Sequence, residues 1–188
     1  MSDEKKYPID EFLSEIAEAA KRDERGFLAE LRAGLNENSQ ERAWPIIARQ
    51  GFNFTDGVRR RVWLTVGGLA AMLAPTGLMS SSWASMGAVM RKIKDGDSNN
   101  GESGIKSCEA KFRRLLNCSN SEELCELVVQ VVRTAERKGV AVNCHQLFWD
   151  LVKWEDEESR EKTRLRWTRD FYGVNQKTEE DSTAEGVV

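Results

Sequence analysis

Leu124, Leu127, Val128, Val131, Val132 and Ala135 recur every three or four residues through "SEELCELVVQVVRTAER". That spacing lays one apolar stripe along a helix and does not fit a strand, whose period is two. Strict alternation is scarce elsewhere, and the 188 residues include only three prolines. The chain is therefore expected to be all-α. Phe12, Ile16 and Ala20 align in a first helix, capped by Asp10 and running to about Arg22. A second covers roughly residues 25–35. Ser39 opens a third, and Gly51 stops it. "RRRVWLTVGGLAAMLA" (59–74) is a strongly apolar helix that ends before Pro75. Its Gly67-Gly68 pair lacks any phosphate-loop context and reads as a close helix contact. Trp83 to Lys94 follows.

"DGDSNNGESG" (95–104) is a loop by composition. It begins like a calcium loop, with Asp95, Asp97 and Asn99 at alternate positions. Asn100 then stands where such a loop needs glycine, and Lys106 where it needs a bidentate glutamate. The second half is expected to hold helices over 108–117, from Ser119 to Lys138, from Asn143 through "CHQLFWDLVKW", and over 157–171. Ser119 with Glu122, and Asn143 with Gln146, have capping-box spacing. Gly139 and Gly173 are stops. The expected layout is an N-terminal helical half (10–94), a flexible connector (95–107), a C-terminal helical half (108–173) and an acidic, disordered tail (174–188).

Hydrophobic residues make up 40% and charged residues 31%, as in a soluble globular protein. No apolar run approaches the ~20 residues that span a bilayer. "MSDEKKYPIDEF" has no apolar signal core, so a cytoplasmic location and no membrane partner are expected. Cys108, Cys118, Cys125 and Cys144 include no C-x-x-C pair, and no metal or other cofactor is expected.

Net charge is −3. The first 19 residues carry −4 and the last 15 carry −3, so the body between them carries +4. Residues 42–61 alone carry +4, from five arginines against Asp56. Acidic ends therefore mask a mildly basic body. At ~100° per residue, Arg113 and Arg114 lie away from the stripe of Cys108, Phe112, Leu115 and Leu116. Arg133 and Arg137 lie opposite the stripe that begins at Leu124. In "RLRWTRDFYG" (164–173), Trp167 and Phe171 share one stripe, widened by Leu165 and Tyr172. Lys162, Arg166 and Arg169 are expected to point outward, and Arg164 to lie over Trp167. The aromatics are read as core, not as a base-stacking surface.

Catalytic signatures are missing. His145 is adjacent to Cys144, and adjacency on a helix does not align a nucleophile with its base. It reads as a partly exposed histidine of the capping turn. There is no H-E-x-x-H, G-x-S-x-G, P-loop or dinucleotide fingerprint. "EDEESRE" (155–161) suits an ion-paired helix start. A hydrolase using Glu157, Glu158 and Glu161 has no accompanying metal or phosphate motif. No enzyme activity is expected.

"RAWPIIARQG" (42–51), "KFRRLLNCSNSEELCELVVQVVR" (111–133), "KGVAVNCHQLFWDLVKW" (138–154) and "RLRWTRDFYG" occur in this order with this spacing. Over about residues 25–173 the chain resembles the CasB family, the small subunit of the type I-E Cascade complex of CRISPR immunity. The resemblance implies an all-helical, non-catalytic scaffold in two halves. Its implied partners are the large subunit, the six-copy backbone subunit, the repeat-processing endoribonuclease, a guide-end-binding subunit and a second copy of itself. It also implies contact with guide RNA and with the target and displaced DNA strands. Cys144 stands where many relatives are expected to carry tryptophan. Ala88 stands where some carry arginine, so that contact is expected either to be absent or to be taken over by Arg91 or Lys92.

The candidate nucleic-acid-binding residues are Arg32, Arg59, Arg60, Arg61, Arg91, Lys92, Arg113, Arg114, Arg133 and Arg137. They would hold phosphates without reading sequence, in an assembly where base pairing does the reading. The competing reading is a helical protein–protein adaptor whose basic face is only solvated surface.

Overall fold

The structure, a computed structural model, describes residues 8–96 and 101–173. Among these the regular elements are helices, joined by turns and loops. In order, the helices are α1 (Pro8–Lys21), α2 (Arg25–Ala33), α3 (Trp44–Ile47), α4 (Gly57–Leu73), α5 (Met86–Gly96), α6 (Gly101–Asn117), α7 (Ser121–Arg137), α8 (Cys144–Val152) and α9 (Glu157–Tyr172). The only extended pairing among the described residues is a single parallel bridge between Met79 and Val142. None of these helices is long and apolar enough to cross a membrane.

α4 organises the packing. Every residue from Val62 to Ala71 is buried, so the helix is covered on all sides. α1, α2, α7 and α8 supply that cover. Gly67 and Gly68 allow the approach: a Cβ would lie 3.0 Å from the Phe12 ring at Gly67 and 2.6 Å from Leu35 Cγ at Gly68. The two glycines are thus the close helix contact expected from the sequence. Trp63 lies among Phe52, stacked at 5.3 Å between centroids, Phe12 at 5.5 Å and Phe148 at 4.9 Å. Such pairs each contribute about 0.5–1.5 kcal/mol beyond area burial. They join α1, the loop before α4 and α8.

α5 and α9 cross at Gly87. A Cβ there would lie 2.0 Å from the Trp167 carbonyl oxygen, so the two backbones touch. Ser85 reinforces the crossing by donating its hydroxyl to Asp170 at 2.6 Å. Phe112 of α6 stacks on Phe171 at 4.0 Å. Trp154 and Trp167 pack at 5.3 Å, and their ring nitrogens donate to Cys118 O at 3.1 Å and Asp150 Oδ2 at 2.9 Å. One continuous core draws on residues before and after 97–100.

Several local expectations need correction. α1 starts at Pro8, ahead of Asp10. The segment after Ser39 is a 3-10 turn, the short α3 and a second 3-10 turn. Trp83 lies before α5, not in it. α6 begins at Gly101, so residues 101–107 of the expected connector are helical. Positions 97–100, including most of the calcium-like loop, and the tail 174–188 lie outside the described residues. The α7 cap is Asn120, whose side chain accepts from Glu123 N at 2.9 Å, while Glu123 accepts from Ser119 N at 3.1 Å. The capping box therefore sits one residue later than Ser119–Glu122. Asn143 caps α8 by accepting from Gln146 N at 2.8 Å. The Gln146 side chain does not reach back; it donates to Asp150.

Candidate nucleic-acid interface

α6 and α7 are joined by the short turn that Asn120 caps, so they pack as neighbours. Between them, above α5, runs a groove of about 850 Å³. Met90, Ile93, Leu115 and Val131 line it with apolar surface, while Lys111, Arg114, Arg133 and Arg137 contribute cations. Glu136 is the one carboxylate among its lining residues. Lys111, Arg113, Arg114 and Arg133 make no ion pair among the described residues. Arg137 bonds only to its own helix, to Arg133 O at 3.2 Å and Thr134 Oγ1 at 3.4 Å. All five are exposed. An array of unneutralised cations beside an apolar floor attracts polyanions.

The other sequence candidates are distributed differently. Arg113 is exposed on α6 but does not line the groove. Arg32 is exposed, with its Nε on Leu28 O at 3.1 Å. Arg59 pairs with Asp56 at 3.5 Å, and Arg91 with Asp95 at 3.8 Å. Lys92 is exposed on α5. Arg60 and Arg61 face inward. Arg60 donates to Phe54 O at 3.0 Å and lies over the Trp44 and Phe54 rings. Arg61 keeps 17% of its side chain exposed, between Glu37 at 3.8 Å and Glu126 at 4.0 Å. The structure thus gathers Arg114, Arg133 and Arg137, adds Lys111 to them and leaves the rest apart. Lys111 stands on the flank of the α6 stripe beside Phe112, and only the position of α7 turns that flank into a groove wall.

The closing stretch also differs from expectation. Trp167 and Phe171 are fully buried, as read from the sequence. Leu165 (64% exposed) and Tyr172 (51%) are not part of that stripe. Arg166 does not point outward: its guanidinium bonds Asp150, which is itself only 3% exposed. Arg164 lies over Trp154, 5.5 Å from the ring centroid, and donates to Cys118 O at 2.8 Å. His145 is half-buried; its Nε2 lies 3.2 Å from Asp10 Oδ1 and accepts from Trp149 Nε1 at 3.1 Å.

Glu157 and Glu161 line a shallow depression with Arg160 and Arg164. Glu158 is drawn away to Lys162 at 2.6 Å, and that bond raises the Lys162 pKa above its ordinary value. The three glutamates therefore do not converge. All four cysteines are buried, and none forms a disulfide among the described residues. Burial pushes Cys144 up to about 12, and Cys118 and Cys125 to about 11, which keeps them as unreactive thiols.

The family model of the CRISPR-associated protein Cse2 matches residues 27–172. The chain belongs to this family. No curated protein sequence matches it. Among solved structures, the crystal structure of M. ruber CasB is similar, with a TM-score of 0.60 at 22% identity, covering 84% of this chain and 93% of that one. At this identity the likeness speaks to fold. The Cse2 assignment agrees with the CasB resemblance of the four quoted segments and makes the chain a small subunit of a CRISPR Cascade complex.

Proposed function

We propose that this Cse2-family subunit is a non-catalytic scaffold that holds nucleic-acid phosphates in its α6–α7 groove and so stabilises the R-loop. The observation that carries the reading is the set of cations without carboxylate partners, Lys111, Arg114, Arg133 and Arg137, on one groove. Phosphate contacts of this kind are independent of sequence, as suits a subunit of an assembly in which a guide strand does the pairing. Membership of the family supplies the context: its members are in general non-catalytic Cascade subunits. The partners in this reading are the large subunit, the backbone subunit, the endoribonuclease, a second copy of the chain, the guide RNA and the two DNA strands.

The test is a complex assembled with the Arg114→Glu, Arg133→Glu subunit. R-loop lifetime is expected to shorten, equally for unrelated guides. The slope of log affinity against log salt should shrink by about 0.9 for each duplex phosphate that the variant no longer neutralises. The isolated variant should keep its helical signal and melt as the parent does. An unchanged lifetime in a complex of normal composition would remove the groove from the nucleic-acid path and favour the adaptor reading.

A further inference from the structure

Trp44 and Trp149 are half-buried, and Trp63, Trp154 and Trp167 are buried, yet Trp83 is 70% exposed. Leaving an indole in water forfeits burial that the other five achieve in whole or part. The loop that carries it is not loose. Ser80 N donates to Val142 O at 2.9 Å, and Asn143 Nδ2 to Ser82 O at 2.9 Å. On the far side, the Ser85 hydroxyl is fixed on Asp170. The backbone is thus tied down immediately before and shortly after the ring. Beneath the indole lies Arg166, its guanidinium carbon 5.8 Å from the ring centroid, and Arg166 is in turn bonded to buried Asp150.

We propose that Trp83 is a stacking platform for one unpaired nucleobase. The proposal rests on the nucleic-acid reading above and adds a contact for a base, where the groove offers contacts for phosphates. A guanidinium against the ring and a large exposed remainder leave indole surface for a second planar group. The surroundings select a base over a protein side chain. Ser80, Ser81 and Ser82 precede the ring, and Arg169, paired with Asp170 at 3.3 Å, follows Arg166 by one turn of α9. Hydroxyls and cations suit a nucleotide, whereas a protein hot spot is enclosed by contacts that exclude water. The base must be unpaired, because a stacked duplex hides the faces of its bases.

The experiment uses the full chain and two labelled single strands of equal length, oligothymidylate and its abasic deoxyribose-phosphate counterpart. The parent should bind the thymidine strand about fivefold or more tightly. Trp83→Ala should abolish that preference and leave the abasic affinity and the melting temperature unchanged. Trp83→Phe should retain most of the preference, because a second aromatic face can still stack. A preference unaltered in Trp83→Ala overturns the proposal. So does a Trp83→Ala variant that keeps the preference but no longer assembles with the other Cascade subunits, which would assign the ring to a protein interface. If the parent binds neither strand even at low salt, the nucleic-acid reading fails as well; if it binds both equally, only the stacking platform fails.

Discussion

Asp150 accepts from Gln146 Nε2, from Arg166 and from Trp167 Nε1 while almost wholly buried. A carboxylate in that position is stable only with its donors in place, and the donors only with it. Asp150→Ala should therefore destabilise the fold by about 3–5 kcal/mol, because Arg166 is left as a part-buried cation without its partner. Urea unfolding at neutral pH measures this. Trp167→Ala should cost about 3–5 kcal/mol as well, from the cavity beside Trp154. A variant that melts like the parent would contradict the core placement of the ring. The buried thiols give a pH prediction. Cys144 and Cys125 are held at about 12 and about 11, against an ordinary value of 9.0. Above pH 9 the unfolded chain sheds thiol protons that the folded chain retains. The stabilisation from neutral burial is thus full below pH 9 and declines as pH rises towards 11–12. Melting temperature against pH should show that alkaline decline, and a serine at Cys144 should lessen it. Native protein should leave both thiols unlabelled by iodoacetamide at pH 8.

Gly87 decides how α5 and α9 meet. A methyl group there falls on the Trp167 carbonyl, so Gly87→Ala must push two helices apart along an interface that includes Phe171, Phe112 and the Ser85–Asp170 bond. A loss of about 1–3 kcal/mol or more is expected, read as a lower melting temperature with the α-helical signal nearly intact. Elements of this kind are legible where the chain signals them locally. Periodicity places α7 and the Trp167–Phe171 stripe of α9, a continuous apolar run places α4, and the glycine stops at Gly51, Gly139 and Gly173 all fall at left-handed φ values near 70°. The Gly67-Gly68 pair is legible because glycines inside an apolar helix have few other uses. What escapes a sequence reading depends on distant neighbours. Arg166 reads as outward on a helical wheel, and only Asp150 on α8 turns it inward. Arg60 and Arg61 belong to a basic run in the sequence, but Phe54, Glu37 and Glu126 claim them in space. Arg114, Arg133 and Arg137 can be found because pointing away from two stripes is a local property. That α6 and α7 form a groove, with Lys111 on its wall, requires the third dimension.

At the scale of the whole molecule, helices from both expected halves contribute residues to one core. α4 packs on α7 and α8, and α5 packs on α9, so helices from before and after 97–100 interlock. A protease site inserted at 97–100 should therefore be cut without separating the pieces. They should elute together in gel filtration and part only in denaturant. Separate elution after cutting would show two independent domains. Net charge is a poor guide at this scale: −3 overall coexists with a groove that holds four cations against one carboxylate.

The all-round burial of α4 has a further consequence when the chain is made. Ribosomes deliver α4 with α1 and α2 already available to cover part of it. The rest of its surface waits for α7 and α8, the latter completed about 80 residues downstream. At ~5–20 residues per second, that wait lasts roughly 4–16 seconds. During it, an apolar helix with no charged residue between Val62 and Leu73 faces solvent on one side. The nascent chain is then at its stickiest, and a synonymous change that slows translation between codons 74 and 143 would lengthen the exposure without altering a single residue of the finished protein.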